Sequence, residues 1–242
     1  GGLLASMEDD ANAMASGDIV DMSSPPKVII KPKKQKLSPI LQPIENEASC
    51  VKKYRRACGT LYLLPKNTII HNLQNEANTD MTEYRLGSAG ATAFAEGLKH
   101  RTCRIEILSV CGCDIDDTGG AAIGEVTTKT ARLRSLNLSK NKLGHRTAVA
   151  LSRGFRLKDG LTTLNLGNTG IGNAFLPLFA RAIKKTKSNI TNLDISKCKM
   201  NNKGCKALCI ALAACPKIQA LNVSWNNIGA RSMYRLGDAI SN

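Results

Sequence analysis

The sequence predicts an α/β solenoid in which short parallel strands and helices alternate along a curved stack. A pattern of eleven residues with five apolar anchors returns every 28 or 29 residues. Its five copies start at residues 105, 133, 161, 190 and 218 and read IEILSVCGCDI, LRSLNLSKNKL, LTTLNLGNTGI, ITNLDISKCKM and IQALNVSWNNI. A period of this length is typical of repeat proteins, whose units bury their apolar faces only by stacking on each other.

Each copy predicts a strand followed by a helix. Residues 136–138, Leu-Asn-Leu, alternate apolar and polar side chains, which is the period of a strand with one buried face. The stretch after each copy has apolar pairs four residues apart, as at 150–151 and 154–155, 182–183, 207–208 and 211–212, and 239–240. Such pairs form one helical stripe, which we expect to face the strands. Strands inside and wider helices outside predict a horseshoe.

One position between the last two anchors holds a small polar or thiol side chain in every copy. We call it the ladder position. A side chain of this kind can satisfy backbone groups where the chain bends away from the strand. The ladder residues are Cys113, Asn141, Thr169, Cys198 and Asn226.

The pattern L-x-x-L-x-L-x-x-N/C-x-L with a full helix per repeat resembles leucine-rich-repeat proteins of the ribonuclease-inhibitor type, over about residues 76–242. Upstream, residues 53–74 contain Tyr54 and Cys58, then a Leu-Pro pair, then Ile-Ile-x-x-Leu. This stretch resembles the capping region of repeat subunits of ciliary and flagellar axonemes, similar to that of the dynein regulatory complex. The resemblance implies a helical cap and a structural role in such an assembly.

Three regions follow from these signals. Residues 1–49 are expected to form an extended, largely disordered arm, residues 50–75 a helical cap, and residues 76–242 a solenoid of six repeats. The first repeat is degenerate, because its strand around Met81 has lost most of its leucines while residues 86–98 keep the helix signature. No polar cap follows the last helical stripe, so we expect that end to meet a partner, another copy or further residues.

The arm segregates its charges. Residues 1–24 carry five acidic and no basic residues, whereas residues 25–44 carry five lysines, five prolines and no acid. This composition predicts disorder, and it matches neither a mitochondrial presequence nor a signal peptide. The basic run predicts a nuclear address or an anchor on an acidic surface, with a solvated linker as the alternative. Its lysines are Lys31, Lys33, Lys34 and Lys36.

The remaining chain is strongly basic. Residues 51–242 contain 29 basic and 12 acidic residues, a net charge of +17, whereas the inner strand positions are small and nearly uncharged. The basic residues are expected at two rims, where their summed field attracts acidic partners and salt screens it. One rim flanks the ladder with Lys140, Lys142, Lys197 and Lys199. The other lies between each helix and the next strand, with Lys129, Arg132, Lys158, Lys184, Lys185, Lys187 and Lys217.

Acidic tails of tubulin, another acidic protein and nucleic acid are the candidate partners. Nucleic acid is disfavoured, because aromatic residues make up 4% of the chain and none lies among the rim lysines. Trp225, beside the ladder, is a candidate anchor at an interface, and the alternative is that it covers the core. Solubilising the solenoid is the alternative role of the rim lysines.

The sequence favours no catalytic, cofactor or metal site and no small-molecule substrate. Its three histidines lack a neighbouring nucleophile and carboxylate, and its glycines lack the P-loop pattern. Cys205 and Cys209 have helical spacing, but no second pair with zinc spacing accompanies them, so we interpret them as small buried residues. Nine scattered cysteines indicate a reducing compartment such as cytoplasm or cilium.

The predicted function is therefore a non-catalytic scaffold, a subunit of a ciliary or flagellar axoneme with protein partners such as tubulin. No apolar stretch approaches the roughly 18 residues of a membrane span. Two alternatives stay open. One is a regulator of a small GTPase, since the activator of the Ran system resembles this fold, although this chain lacks its acidic tail. The other is a scaffold of a ribonucleoprotein.

Overall fold

The computed structural model describes residues 47–130, 132–157, 160–184 and 188–241. Within these ranges the chain forms eight helices and six three-residue strands, and from β1 onward strands and helices alternate. The elements are α1 Ser49–Thr60, α2 Asn67–Asn75, β1 Asn78–Asp80, α3 Gly87–Leu98, β2 Ile107–Ser109, α4 Asp117–Lys129, β3 Ser135–Asn137, α5 His145–Leu157, β4 Thr163–Asn165, α6 Gly172–Ile183, β5 Asn192–Asp194, α7 Asn202–Ala214, β6 Ala220–Asn222 and α8 Ala230–Ser241.

The six strands form one parallel sheet in the order of the sequence, β1 to β6. Their middle residues are in register, so that Leu108, Leu136, Leu164, Leu193 and Leu221 make one column. The first four are buried, and Leu221 is partly buried. The structure is therefore the predicted α/β solenoid, with one layer of strands and one of helices around a continuous core.

The first repeat is degenerate, as predicted. Thr79 occupies the column position beside Leu108, and Met81 fills the next buried position. The Thr79 hydroxyl is buried without a hydrogen-bond partner among the described residues. An unsatisfied buried hydroxyl costs about 1–3 kcal/mol, so Thr79 is less favourable at this position than the leucines of the later repeats.

The helices cover the column with their apolar stripes. Phe155 of α5 packs edge-on against Phe179 of α6 with ring centroids 5.0 Å apart, and Phe175 stacks on Phe179 at 5.1 Å. The stripe predicted for residues 239–240 is wrong, because Ile240 is 61% exposed. Helix α8 packs against α7, and it buries Leu236 on that side.

Helices α1 and α2 pack over the first repeat. The Tyr54 hydroxyl accepts the backbone N–H of Lys66 at 3.1 Å, and burial raises the pKa of Tyr54. Gly97 of α3 makes this packing feasible, since a Cβ there would lie 2.8 Å from a methyl carbon of Leu73. The boundaries proposed for arm, cap and solenoid remain predictions. No helix in the described part of the chain is long and apolar enough to cross a membrane.

Candidate partner-binding surface

The ladder position is an internal polar network, as predicted. The amide oxygen of Asn141 accepts the N–H groups of Cys113 and Ile115 at 3.1 and 3.0 Å. Its NH₂ group lies within hydrogen-bond distance of three carbonyl oxygens at 2.8–3.1 Å. Asn226 makes the same set of contacts in the last repeat. Each asparagine therefore ties its own turn to the preceding repeat.

Thiol and hydroxyl side chains replace asparagine in the other repeats. The Cys113 thiol donates to the carbonyl of Met81 at 2.8 Å, and the Cys198 thiol donates to that of Leu166 at 2.9 Å. Thr169 also donates to Leu166, at 2.6 Å. Burial raises the pKa of both thiols, which keeps them protonated and unreactive.

The residue three positions after the end of each strand forms a second, mostly exposed series, which we call the rim column. All its members have positive φ, between 51° and 62°. Backbone N–H groups of the first five donate to carbonyl oxygens of the next repeat at 2.8–3.0 Å, which fixes the spacing of the column. Its members are Glu83, Gly112, Lys140, Asn168, Lys197 and Trp225.

Two contacts run along the rim column. Lys140 Nζ lies 3.7 Å from a carboxylate oxygen of Glu83, across the intervening Gly112. Both side chains are more than half exposed, so this pair contributes at most about 1 kcal/mol. Lys197 Nζ lies 5.3 Å from the ring centroid of Trp225, a cation–π distance.

Trp225 is exposed and does not cover the core. Its side chain is 81% exposed, which contradicts the alternative that it acts as a lid. Its φ of 57° lies in the left-handed region, which a bulky residue adopts at a cost of about 1–3 kcal/mol. The fold gains little from a tryptophan here, so the residue suits an interface.

The structure brings the first predicted rim together. We define the strand-end rim as Lys140, Lys142, Lys197, Lys199 and Trp225, all of them exposed. Each lysine pair flanks one ladder residue, because the chain turns there and directs the ladder side chain inward. The two lysine pairs consequently lie on one edge of the sheet, after β3 and β5, and Asn168 and Gly170 hold the equivalent positions after β4.

The second predicted rim is described in part. Lys129, Arg132, Lys184 and Lys217 are exposed, and Lys217 Nζ donates to the side chain of Asn189 at 2.5 Å. Lys158, Lys185 and Lys187 lie outside the described residues, as do Lys31, Lys33, Lys34 and Lys36 of the arm.

Lys99, which the sequence analysis missed, also lies at the end of a helix, but its charge is compensated. It contacts carboxylate oxygens of Glu96 and Glu125 at 2.9 Å each. Burial alone would lower the pKa of Lys99, but the two carboxylates outweigh it and raise the pKa. Lys99 thus offers less free positive charge to a partner than an exposed lysine of the strand-end rim does.

The strand face carries a polar series whose role in starting the turn the sequence analysis did not predict. The last residue of five strands accepts the N–H of the residue two positions later at 2.8–3.2 Å, which starts the turn toward the rim. The signal was present as an Asn or Asp every 28 or 29 residues from 137 onward. These residues are Asp80, Asn137, Asn165, Asp194 and Asn222.

A further polar contact links consecutive helices at their first turns. The Asp117 carboxylate accepts the N–H groups of Gly144, Arg146 and Thr147 at 2.8–2.9 Å. Burial tends to raise the pKa of Asp117, but these donors and the Thr147 hydroxyl outweigh it and lower the pKa. Asn173 and Asn202 make the equivalent contact in later repeats.

Cys205 and Cys209 lie on the side of α7 that faces α8. Their thiols donate to carbonyl oxygens of α8 at 3.4 and 3.8 Å, and burial raises the pKa of Cys205 to about 11. Across the described ranges, no group of three or more His, Cys, Asp and Glu side chains is placed to hold a metal ion.

Comparisons with known proteins agree with this architecture. The family model described as "Leucine Rich repeat" matches residues 186–209 and 214–237. Ribonuclease inhibitor of Sus scrofa is 24% identical over 194 residues, which cover 66% of this chain and 42% of the inhibitor. NACHT, LRR and PYD domains-containing protein 12 of Mus musculus is 19% identical over 196 residues, which cover 69% of this chain and 19% of that protein.

The chain spans less than half the length of these curated relatives. Among solved structures, Leiomodin-1 Actin-Binding Site 2 (ABS2) is similar with a TM-score of 0.49 and 15% identity, covering 73% of this chain and 89% of that one. The chain therefore contains leucine-rich repeats, and its parallel sheet of strand–helix repeats is similar to proteins of the ribonuclease-inhibitor type.

Proposed function

We propose that this protein is a non-catalytic scaffold that binds an acidic protein through its strand-end rim, with Trp225 as the anchor. Leucine-rich-repeat proteins typically mediate protein–protein contacts, and those of this type are generally not enzymes. The observation that carries the proposal is Trp225, which is 81% exposed, has left-handed backbone and lies beside Lys197.

The rim combines the two features that recognition of an acidic protein needs. Its two lysine pairs stand two repeats apart, so an extended acidic segment running along the sheet edge meets one pair and then the other. Tryptophan is enriched among the residues that dominate binding energies at interfaces. Steering by the lysines and anchoring by Trp225 would therefore act on the same segment.

At the finer level, we propose that the acidic partner belongs to a ciliary or flagellar axoneme, with tubulin as the first candidate. The tails of tubulin are acidic and extended, which suits a rim with two exposed lysine pairs. The support for this assignment is the sequence of the α1–α2 region, in which Tyr54, Cys58 and Leu73 are all buried as a cap requires.

Co-sedimentation with microtubules tests both levels. We expect binding that weakens at high salt and after subtilisin has removed the tubulin tails, because exposed charges are screened. Reversing two rim charges, Lys140→Glu with Lys197→Glu, should weaken binding by about tenfold or more. The matched control is Lys203→Glu with Lys206→Glu, which makes the same change of charge at exposed positions of α7.

The outcomes separate the two levels. Equal weakening by rim and control variants would show that net charge acts without a defined site, and the rim proposal would fail. If a glutamate-rich peptide binds in a rim-dependent way while microtubules do not, the acidic partner stands and tubulin is excluded. If neither the microtubules nor the peptide binds, the whole proposal is wrong.

A further inference from the structure

Helices α5 and α6 leave a groove between them on the helix face, away from the strand-end rim. Its volume is about 390 Å³, within the range of small-ligand sites. On the α5 side it is lined by Val149, Ser152, Arg153 and Arg156, which are spaced i, i+3, i+4 and i+7 and so share one helical face. Arg181 and Leu178 line it from α6.

The three arginines bring positive charge to this groove that no described acidic side chain pairs with. None of them forms an ion pair with a described residue, and helices α5, α6 and α7 contain no Asp or Glu at all. On the neighbouring α4, Glu125 is engaged by Lys99 and Asp117 by backbone N–H groups. A guanidinium is a planar fork with five donors that matches phosphate and carboxylate oxygens, unlike the point charge of the rim lysines.

Ser152 supplies an independent observation. Its side chain lines the groove, the residue is 7% exposed, and its hydroxyl has no hydrogen-bond partner among the described residues. Buried hydroxyls in proteins are normally bonded, so the Ser152 hydroxyl, in a residue that lines an arginine-rich groove, has a donor to offer an acceptor that binds there. An oxygen of a bound anion would provide that acceptor.

We propose that the α5–α6 groove binds a phosphomonoester carried by a phosphorylated side chain of a partner protein. Three guanidinium groups favour a dianion over a carboxylate, and the apolar walls of Val149 and Leu178 suit the carbon stem of the ester. RNA is the weaker candidate, because no aromatic side chain lines the groove to stack a base. The inference goes beyond the proposed rim contact, involves a different surface and survives if that contact fails.

Binding of phenyl phosphate, followed by calorimetry on the whole chain, tests the site. We expect Arg153→Ala with Arg181→Ala to lower the affinity by about tenfold or more. The control, Arg146→Ala with Lys206→Ala, removes the same charge from exposed positions outside the groove and should change it by less than about twofold. Equal losses in both variants would reduce the site to non-specific attraction and overturn the proposal.

Two further measurements test the chemistry of the ligand. The second ionisation of a phosphomonoester has a pKa of about 6, so affinity for phenyl phosphate should rise between about pH 5 and 7.5 while that for phenyl sulfate does not. Ser152→Ala should weaken binding by about two- to fivefold without lowering the thermal midpoint, because it removes a hydroxyl that lacks a partner. Sulfate binding as tight as phosphate binding contradicts a dianion site.

A last arm distinguishes the sources of the phosphate. A phosphotyrosine peptide should bind and its unphosphorylated form should not, with the loss again specific to the groove variant. Vesicles that contain a phosphoinositide and a single-stranded RNA are tested beside the peptide. If either of them binds in place of the peptide and requires the same arginines, the groove is a site for a membrane or for RNA, and a protein partner is rejected. Rim variants should leave all of these affinities unchanged, so the groove and the rim can fail independently.

Discussion

Lys140 and Asn141 are neighbours in one turn, yet their side chains have opposite environments. Asn141 is 4% exposed and within hydrogen-bond distance of five backbone groups, whereas Lys140 is exposed and makes one long ion pair. Trp225 and Asn226 repeat the contrast in the last repeat. Each repeat therefore assigns stability to the ladder residue and leaves the preceding residue available for recognition, so changes at the two positions should have very different consequences.

The largest effect is expected at the buried position. Asn141→Ala removes every side-chain contact of the ladder in its turn and leaves backbone groups of two repeats without partners. At about 1–3 kcal/mol for each buried group that stays unsatisfied, the free energy of unfolding should fall by about 3 kcal/mol. Urea unfolding followed by circular dichroism measures this loss.

The matched control is Asn168→Gly in the rim column. Asn168 is exposed with a φ of 57°, a conformation that glycine adopts readily, so its loss should change the free energy of unfolding by less than about 0.5 kcal/mol. A comparable loss in both variants would show that the column is as structural as the ladder, and the contrast would not hold.

An intermediate effect is expected at Asp117, a half-buried carboxylate that joins α4 to the start of α5. Asp117→Asn places an NH₂ group among N–H donors and removes the charge that strengthens their bonds. We expect a loss of about 1–2 kcal/mol at neutral pH, from the same urea measurement.

The pH dependence of this loss follows from the lowered pKa of Asp117. A carboxyl whose pKa is lower in the folded chain stabilises the fold above its unfolded pKa of about 3.9 and loses that contribution as the pH falls through the folded pKa. The difference between wild type and Asp117→Asn should therefore be constant near neutrality and shrink below about pH 4. A difference that persists undiminished into acid would point to steric disturbance instead of charge.

The regular parts of this fold could be predicted because they follow from a period. Register between strands is fixed by the position of the leucines in each copy, so the column through Leu136, Leu164 and Leu193 follows directly from the spacing. The ladder was equally accessible, since asparagine, threonine and cysteine share the ability to bond backbone groups. The error at Ile240 arose because an apolar stripe shows which side of a helix can be buried, but not whether a neighbour covers it.

The candidate sites could be predicted less well, because they depend on the direction in which a side chain points and on which residues of two neighbouring helices lie close together. The position of Trp225 beside a buried residue was compatible with burial or exposure, and the structure shows that its side chain is 81% exposed. Arg153 and Arg156 share a face by helical spacing, but Arg181 joins them only through the packing of α5 on α6. Sequence spacing within one element carries no information on that register.

The smallest effect on folding is expected where the effect on binding should be largest. Trp225→Asn keeps a residue that tolerates left-handed backbone, as Asn168 does at the equivalent position, and it removes an exposed ring that contacts Lys197. The free energy of unfolding should change by less than about 0.5 kcal/mol, because the lost cation–π contact is weak at an exposed site and the strain of the bulky residue is relieved. Affinity for a glutamate-rich peptide or for microtubules should fall by about tenfold in the same preparation, since anchors of this kind contribute about 1–2 kcal/mol or more. If the substitution lowers the free energy of unfolding by more than it lowers the free energy of binding, Trp225 has a structural role like that of the ladder residues. The recognition surface would then lie on another face.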